Sequence, residues 1–125
     1  MDTLNARMSE GLYRTSKERR EDPTLEFLYR SAGPVWYRGM VCTDEKYDPL
    51  TPEQTDALLR RYDADRLLIG HTIFPDISTF HDGRVIAVNV QNERNRRKNR
   101  GRAVLIEGSR ISVVGNRGVK RVLEE

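Results

Sequence analysis

The sequence predicts an α/β fold, a mixed sheet with flanking helices and a C-terminal antiparallel hairpin. Three observations carry this. Residues 51–62, "TPEQTDALLRRY", hold helix signals; the aliphatic run Leu67–Ile69 follows after a short loop; beyond it, apolar segments alternate with glycine turns. Helix, short loop and strand in that order form the αβ unit of a layered sheet protein.

Residues 1–20 are polar, with Leu4, Met8 and Leu12 at spacing four, a narrow helical stripe. Gly11 weakens that helix, and Asp22-Pro23 reads as its break. Leu25, Phe27, Leu28 and Tyr29 form an apolar patch that suits a helical turn or a strand end. Gly33-Pro34 makes a turn before Val35-Trp36-Tyr37-Arg38-Gly39, and the chain then reads as loop to Leu50.

The central helix has the best signals. Thr51 is its N-cap, Pro52 takes the first helical position, and Gln54 completes a Thr-x-x-Gln capping box. Leu58, Leu59 and Tyr62 give its apolar face. After the Leu67–Ile69 strand, Asp82-Gly83 turns the chain into a strand over residues 85–90. A hairpin follows, 103–107 and 110–114 about a Gly108-Ser109 turn, with a last strand at 119–123. The expected core is Leu67, Leu68, Ile69, Val85, Ile86, Val88, Leu105, Ile111 and Val113, covered by Leu58 and Leu59.

Composition sets limits. The 125 residues suffice for one domain, 1–125. With 37% hydrophobic and 33% charged residues, the core is lean, and the chain is expected either to be loosely built or to rely on a partner for burial. The net charge of +3 does not itself imply nucleic acid, but six of the nine residues 94–102 are basic. That stretch, 91–102, reads as a solvated loop. It has no interleaved aromatics and is interrupted by Glu93, so nucleic-acid binding is not favoured. Cys42 is alone, so no intrachain disulfide forms. No apolar stretch approaches the roughly 18 residues of a membrane span, and the N-terminus lacks a signal core. The expected location is cytoplasmic.

His71 follows the aliphatic strand in "RLLIGHT". A histidine just past the C-terminal end of a buried strand stands where open α/β sheets place ligands. Gly70 removes bulk beside it, imidazole is a common metal ligand and acid–base group, and Thr72 is suited to position the ring or meet an anion. Against this stands the plainer reading of a packed or surface histidine. His81 reads as an exposed turn residue beside Asp82-Gly83, and Cys42 as inert.

"GPVWYRG" (33–39), then a helix, then "LLIGHT" (67–72), then a glycine-led strand and a terminal hairpin, resembles the C-terminal half of calcineurin-like metallophosphoesterases. Within them it is most similar to the bacterial, Shewanella-like serine/threonine protein phosphatases, over roughly residues 20–115. The resemblance implies a partial fold of that family. In it, two divalent metals (Mn, Fe or Zn) at strand ends activate a bridging water that attacks phosphorus in line. It implies His71 as a metal ligand and Arg38 as a contact to the substrate phosphate, a task suited to a planar, permanently charged guanidinium. Gly70 and Thr72 support them.

The family's Asp-x-His, Gly-Asp-x-x-Asp-Arg-Gly and Gly-Asn-His motifs are missing. Asp63-Ala64-Asp65-Arg66 is a superficial echo, and Gly115-Asn116 is followed by Arg117. No catalytic set is complete. One histidine does not hold two metals, since a catalytic metal usually has three protein ligands. The expectation is a chain that retains no metal and is inactive alone. It is completed by a separately encoded N-terminal half that lets it meet a phosphorylated substrate, or it pairs with itself as a dimer. The alternatives are a structural or oligomerisation module and a basic-loop nucleic-acid-binding protein.

Overall fold

Side-chain caps start three of the α-helices in this computed structural model, which describes residues 2–124. The chain forms two compact units, divided between Leu50 and Thr51.

The first unit is helical. Helices α1 (Asp2–Leu12), α2 (Ser16–Glu21) and α3 (Pro23–Tyr29) replace the single N-terminal helix expected from the sequence. Thr15 and Glu18 form a reciprocal capping box that starts α2. Asp22 is the N-cap of α3, accepting from the backbone N–H groups of Thr24 at 2.9 Å and Leu25 at 3.2 Å, with Pro23 in the first turn. The Asp22-Pro23 pair therefore opens a helix as well as ending one. Leu25 and Leu28, three apart on α3, are buried. Tyr29 donates its hydroxyl to the Met8 carbonyl. Its ring lies so close to Gly11 that a Cβ there would meet it at 2.4 Å. Gly11 thus admits the ring, at some cost to the helix.

The second unit begins with α4 (Pro52–Arg61), whose Thr51–Gln54 capping box forms as the sequence predicts. Its end is a Schellman motif. Asp63 N–H donates to Arg60 C=O at 3.3 Å, and Ala64 N–H to Leu59 C=O at 3.0 Å. Asp63 takes the left-handed conformation, φ 48°, usually given to glycine.

Two three-stranded sheets follow. In the first, β1 (Leu67–Ile69) pairs parallel with β3 (Val85–Ala87), and β2 (Ser78–Phe80) pairs antiparallel with β3. The order is β1-β3-β2, a mixed sheet with β1 at an edge. In the second, β4 (Arg102–Glu107), β5 (Arg110–Gly115) and β6 (Lys120–Glu124) form an antiparallel meander. Gly108, φ 62°, leads the two-residue turn between β4 and β5, as predicted. Helix α5 (Asn92–Arg97) lies between β3 and β4.

Ile77, Ile86, Val90, Ile111 and Val113 form the core that joins the two sheets, with Val88, Val104 and Leu123 packed against it. Ile111 and Val113 are two apart on β5 and so face one side. Several expectations are corrected. Leu68 is 45% exposed, not core, because β1 is an edge strand. Leu67, Ile69, Leu58 and Leu105 are half-buried, while Leu59 is buried. The strand read over residues 85–90 ends at Ala87; Val90 is held by an isolated parallel bridge to Phe74. Residues 25–29 are helical, one of the two readings the sequence left open, and the basic stretch 91–102 contains α5 rather than being all loop.

Candidate functional site

His71 is the centre of a three-residue γ-turn. The Thr72 N–H donates to the Gly70 carbonyl at 2.9 Å, and His71 sits at φ 70°. Non-glycine residues rarely adopt this conformation, although histidine is among the more tolerant. The turn follows β1 directly. On the neighbouring strand's side, the Ile69 carbonyl accepts from Val88 N–H at 2.8 Å, and Phe74 N–H donates to Asn89 C=O at 2.9 Å. These bonds anchor the chain before and after His71, so the turn is imposed from both sides. The imidazole is exposed at the C-terminal end of a parallel strand.

Gly70 has open space around it, with nothing within 4 Å of where a Cβ would stand. Positive φ falls on His71, not on this glycine. Thr72 is half-buried, and the role visible for it is its backbone donor.

Arg38 lies in the first unit, in a turn whose backbone is tied tightly. Its carbonyl accepts from Val41 N–H at 3.0 Å and Cys42 N–H at 2.9 Å. Tyr37 donates its hydroxyl to the Asp48 carbonyl at 2.9 Å, and Leu50 N–H donates to Gly39 C=O at 3.0 Å. A Cβ on Gly39 would meet the Tyr37 hydroxyl at 2.4 Å and the Asp48 carbonyl at 2.6 Å, so only glycine fits. Burial, and then the Asp48 carboxylate, raise the Tyr37 hydroxyl above its ordinary value. The Arg38 guanidinium is half-buried and lies 5.9 Å from the Tyr47 ring centroid. Gly33 is equally constrained, since a Cβ would meet the Phe27 carbonyl at 2.1 Å. The long-range tie from Tyr37 to Asp48 has no signal in the sequence, although both ends lie in the region read as loop.

His81, Asp82 and Gly83 all have positive φ (51°, 53° and 84°) and make the turn between β2 and β3. His81 accepts at its carbonyl from Arg84 N–H at 3.1 Å and is half-buried rather than exposed. Cys42 is a half-buried free thiol. Asp63 is accounted for by the end of α4.

Among the described residues, no group of three or more His, Cys, Asp or Glu side chains is placed to hold a metal ion. His71 offers one imidazole, and among the described residues no further donors stand beside it to make the three protein ligands a catalytic metal usually has. Among the described residues, no helix is long and apolar enough to cross a membrane.

No protein-family model matches the chain, and no curated protein does. Solved structures do. A cold-active protein tyrosine phosphatase superposes with a TM-score of 0.69 at 25% identity, over 99% of this chain and 34% of that one. A cold-active protein tyrosine phosphatase from a psychrophilic Shewanella species gives a TM-score of 0.68 at 24% identity, over 98% and 35%. The chain has a phosphatase-like fold and spans about a third of the length of these phosphatases.

Proposed function

We propose that this chain is the C-terminal part of a calcineurin-like metallophosphoesterase, a protein phosphatase-like hydrolase of phosphoric esters. His71 is its metal ligand, Arg38 its phosphate contact, and Gly70 and Thr72 support the histidine. The observation that carries this reading is β1 itself. It is a parallel edge strand, Leu68 on it is 45% exposed, and it runs into a strained turn that presents an imidazole. Parallel strands are normally covered on both faces. Backbone strain of this kind costs about 1–3 kcal/mol and concentrates at functional sites. Ile73, just beyond His71, is also exposed. An apolar edge beside a strained histidine suits a strand built to be covered by more protein, with His71 at the seam.

Phosphorus chemistry at such a site would need metal held mostly by residues other than those described here. Arg38 would bind the substrate's phosphoryl oxygens through paired N–H donors. His71 would contribute one neutral imidazole nitrogen. The completing residues belong to an N-terminal half or to a second copy of the chain, and the setting is the cytoplasm. The chain alone is a poor phosphatase. An assay with an aryl phosphate ester and manganese should give background turnover; turnover well above it, abolished in His71→Ala, would contradict the incompleteness of the site.

A further inference from the structure

The basic stretch the phosphoesterase reading leaves unused forms one wall of a cavity in the second unit. This cavity, about 450 Å³, is lined among others by Asp76, Arg94, Asn95, Lys98, Arg100 and Arg102. Arg94 and Lys98 are four apart on α5 and its C-cap, hence on one face. The backbone bond from Arg100 N–H to Asn95 C=O, 2.7 Å, folds the chain back so that Arg100 joins them. Four cationic side chains stand against one carboxylate, and that carboxylate is already engaged. Asp76 accepts from Ile77 N–H at 2.8 Å and pairs with Arg102 Nε at 3.1 Å. No ion pair among the described residues occupies Arg94, Lys98 or Arg100. Asn95, 7% exposed, also lines the cavity, and its Nδ2 donor is buried without a hydrogen-bond partner. Burying such a donor is unfavourable unless something accepts from it.

Neutral surfaces do not gather charge this way. A concave site with three unengaged cations has the chemistry of an oxyanion receptor, and its volume lies in the range of small-ligand pockets. We propose that this cavity binds a phosphoryl group, through Arg94, Lys98 and Arg100, with Arg102 held by Asp76 as a fixed wall. The proposal does not rest on His71 or Arg38. The group arrives as free inorganic phosphate or on a phosphorylated polypeptide. A nucleic-acid backbone is disfavoured, because no aromatic side chain lines the cavity to stack a base.

The test titrates the chain with inorganic phosphate at constant ionic strength, followed by backbone amide shifts, with circular dichroism to verify folding. Saturable shifts confined to residues around the cavity support the site. Lys98→Glu and Arg100→Glu should each weaken phosphate about tenfold or more, as expected for loss of a charged hydrogen bond plus repulsion. Arg96→Glu changes charge equally on the same helix but lies outside the cavity, and should change binding less than twofold. A phosphoserine peptide that binds tighter than phosphate and competes with it identifies the polypeptide source; a peptide no tighter identifies the free ion. Equal weakening by Arg96→Glu, equal shifts with chloride, or preference for an oligonucleotide of matched charge would overturn the proposal.

Discussion

Thr72 donates its backbone N–H to the carbonyl of Gly70 at 2.9 Å, and this bond holds His71 between them at φ 70°. The glycine precedes the strained position instead of occupying it. An imidazole stands where a glycine would be more comfortable.

His71→Gly should therefore stabilise the fold, by about 0.5–1 kcal/mol, because glycine adopts positive φ without a Cβ penalty. His71→Ala keeps the penalty and should not gain stability. Urea denaturation midpoints at unchanged m-value distinguish the two. A His71→Gly protein less stable than the parent would mean the ring contributes packing that outweighs the strain.

The centre and the edge of the first sheet predict unequal responses. Ile86 is buried in the core between the sheets, and Ile86→Ala should cost about 2–5 kcal/mol. Leu68 is 45% exposed on the edge strand, and Leu68→Ala should cost under about 1 kcal/mol. Equal losses in denaturant titrations would show that β1 is covered in solution, as by self-association.

Much of this fold was legible because its signals are local. Thr51, Pro52 and Gln54 specify the start of α4 within four residues, and Gly108-Ser109 specifies the β4–β5 turn. The Thr15–Glu18 box had the same kind of signature but lies in a polar segment with a weak apolar stripe. By contrast β2 is three residues long and is held by its pairing with β3, and α5 has no apolar period and no side-chain cap, so neither has a strong local signal. Leu68 was misplaced because an aliphatic triplet looks the same in a central strand and at an edge. For the candidate site, the His71 position was readable from its strand, whereas the γ-turn and the Tyr37–Asp48 tie are products of folding.

Asp63 offers an independent check on the end of α4. It holds the left-handed position of the Schellman motif, and Asp63→Gly should stabilise by about 0.5–1 kcal/mol. Thr51→Ala at the other end should cost about 0.5–2 kcal/mol. Thermal midpoints moving in opposite directions would verify both caps.

Acid should loosen the helical unit first. The Arg7 side chain, then the Leu25 and Thr24 backbone donors, hold the Asp22 carboxyl below its ordinary value. Thr15 similarly lowers Glu18. A lowered folded-state value means the stabilisation is present above the unfolded value, about 4, and is lost as pH falls through the folded value. Helix amide signals of residues 16–29 should weaken below about pH 4 before those of β3 and β5, and Asp22→Asn should blunt this dependence. Signals of both units fading together, unchanged by Asp22→Asn, would argue against these caps as the acid-labile points.

The central claim is that His71 and Arg38 are one part of a phosphoesterase site that other residues complete. The direct measurement is hydrolysis of an aryl phosphate by this chain mixed with a second polypeptide carrying the Asp-x-His, Gly-Asp-x-x-Asp-Arg-Gly and Gly-Asn-His motifs, with manganese present. The account predicts metal-dependent turnover from the mixture and from neither part alone, abolished by His71→Ala and weakened by Arg38→Ala. A mixture in which the two chains associate and turnover appears, yet is indifferent to His71→Ala, would contradict it.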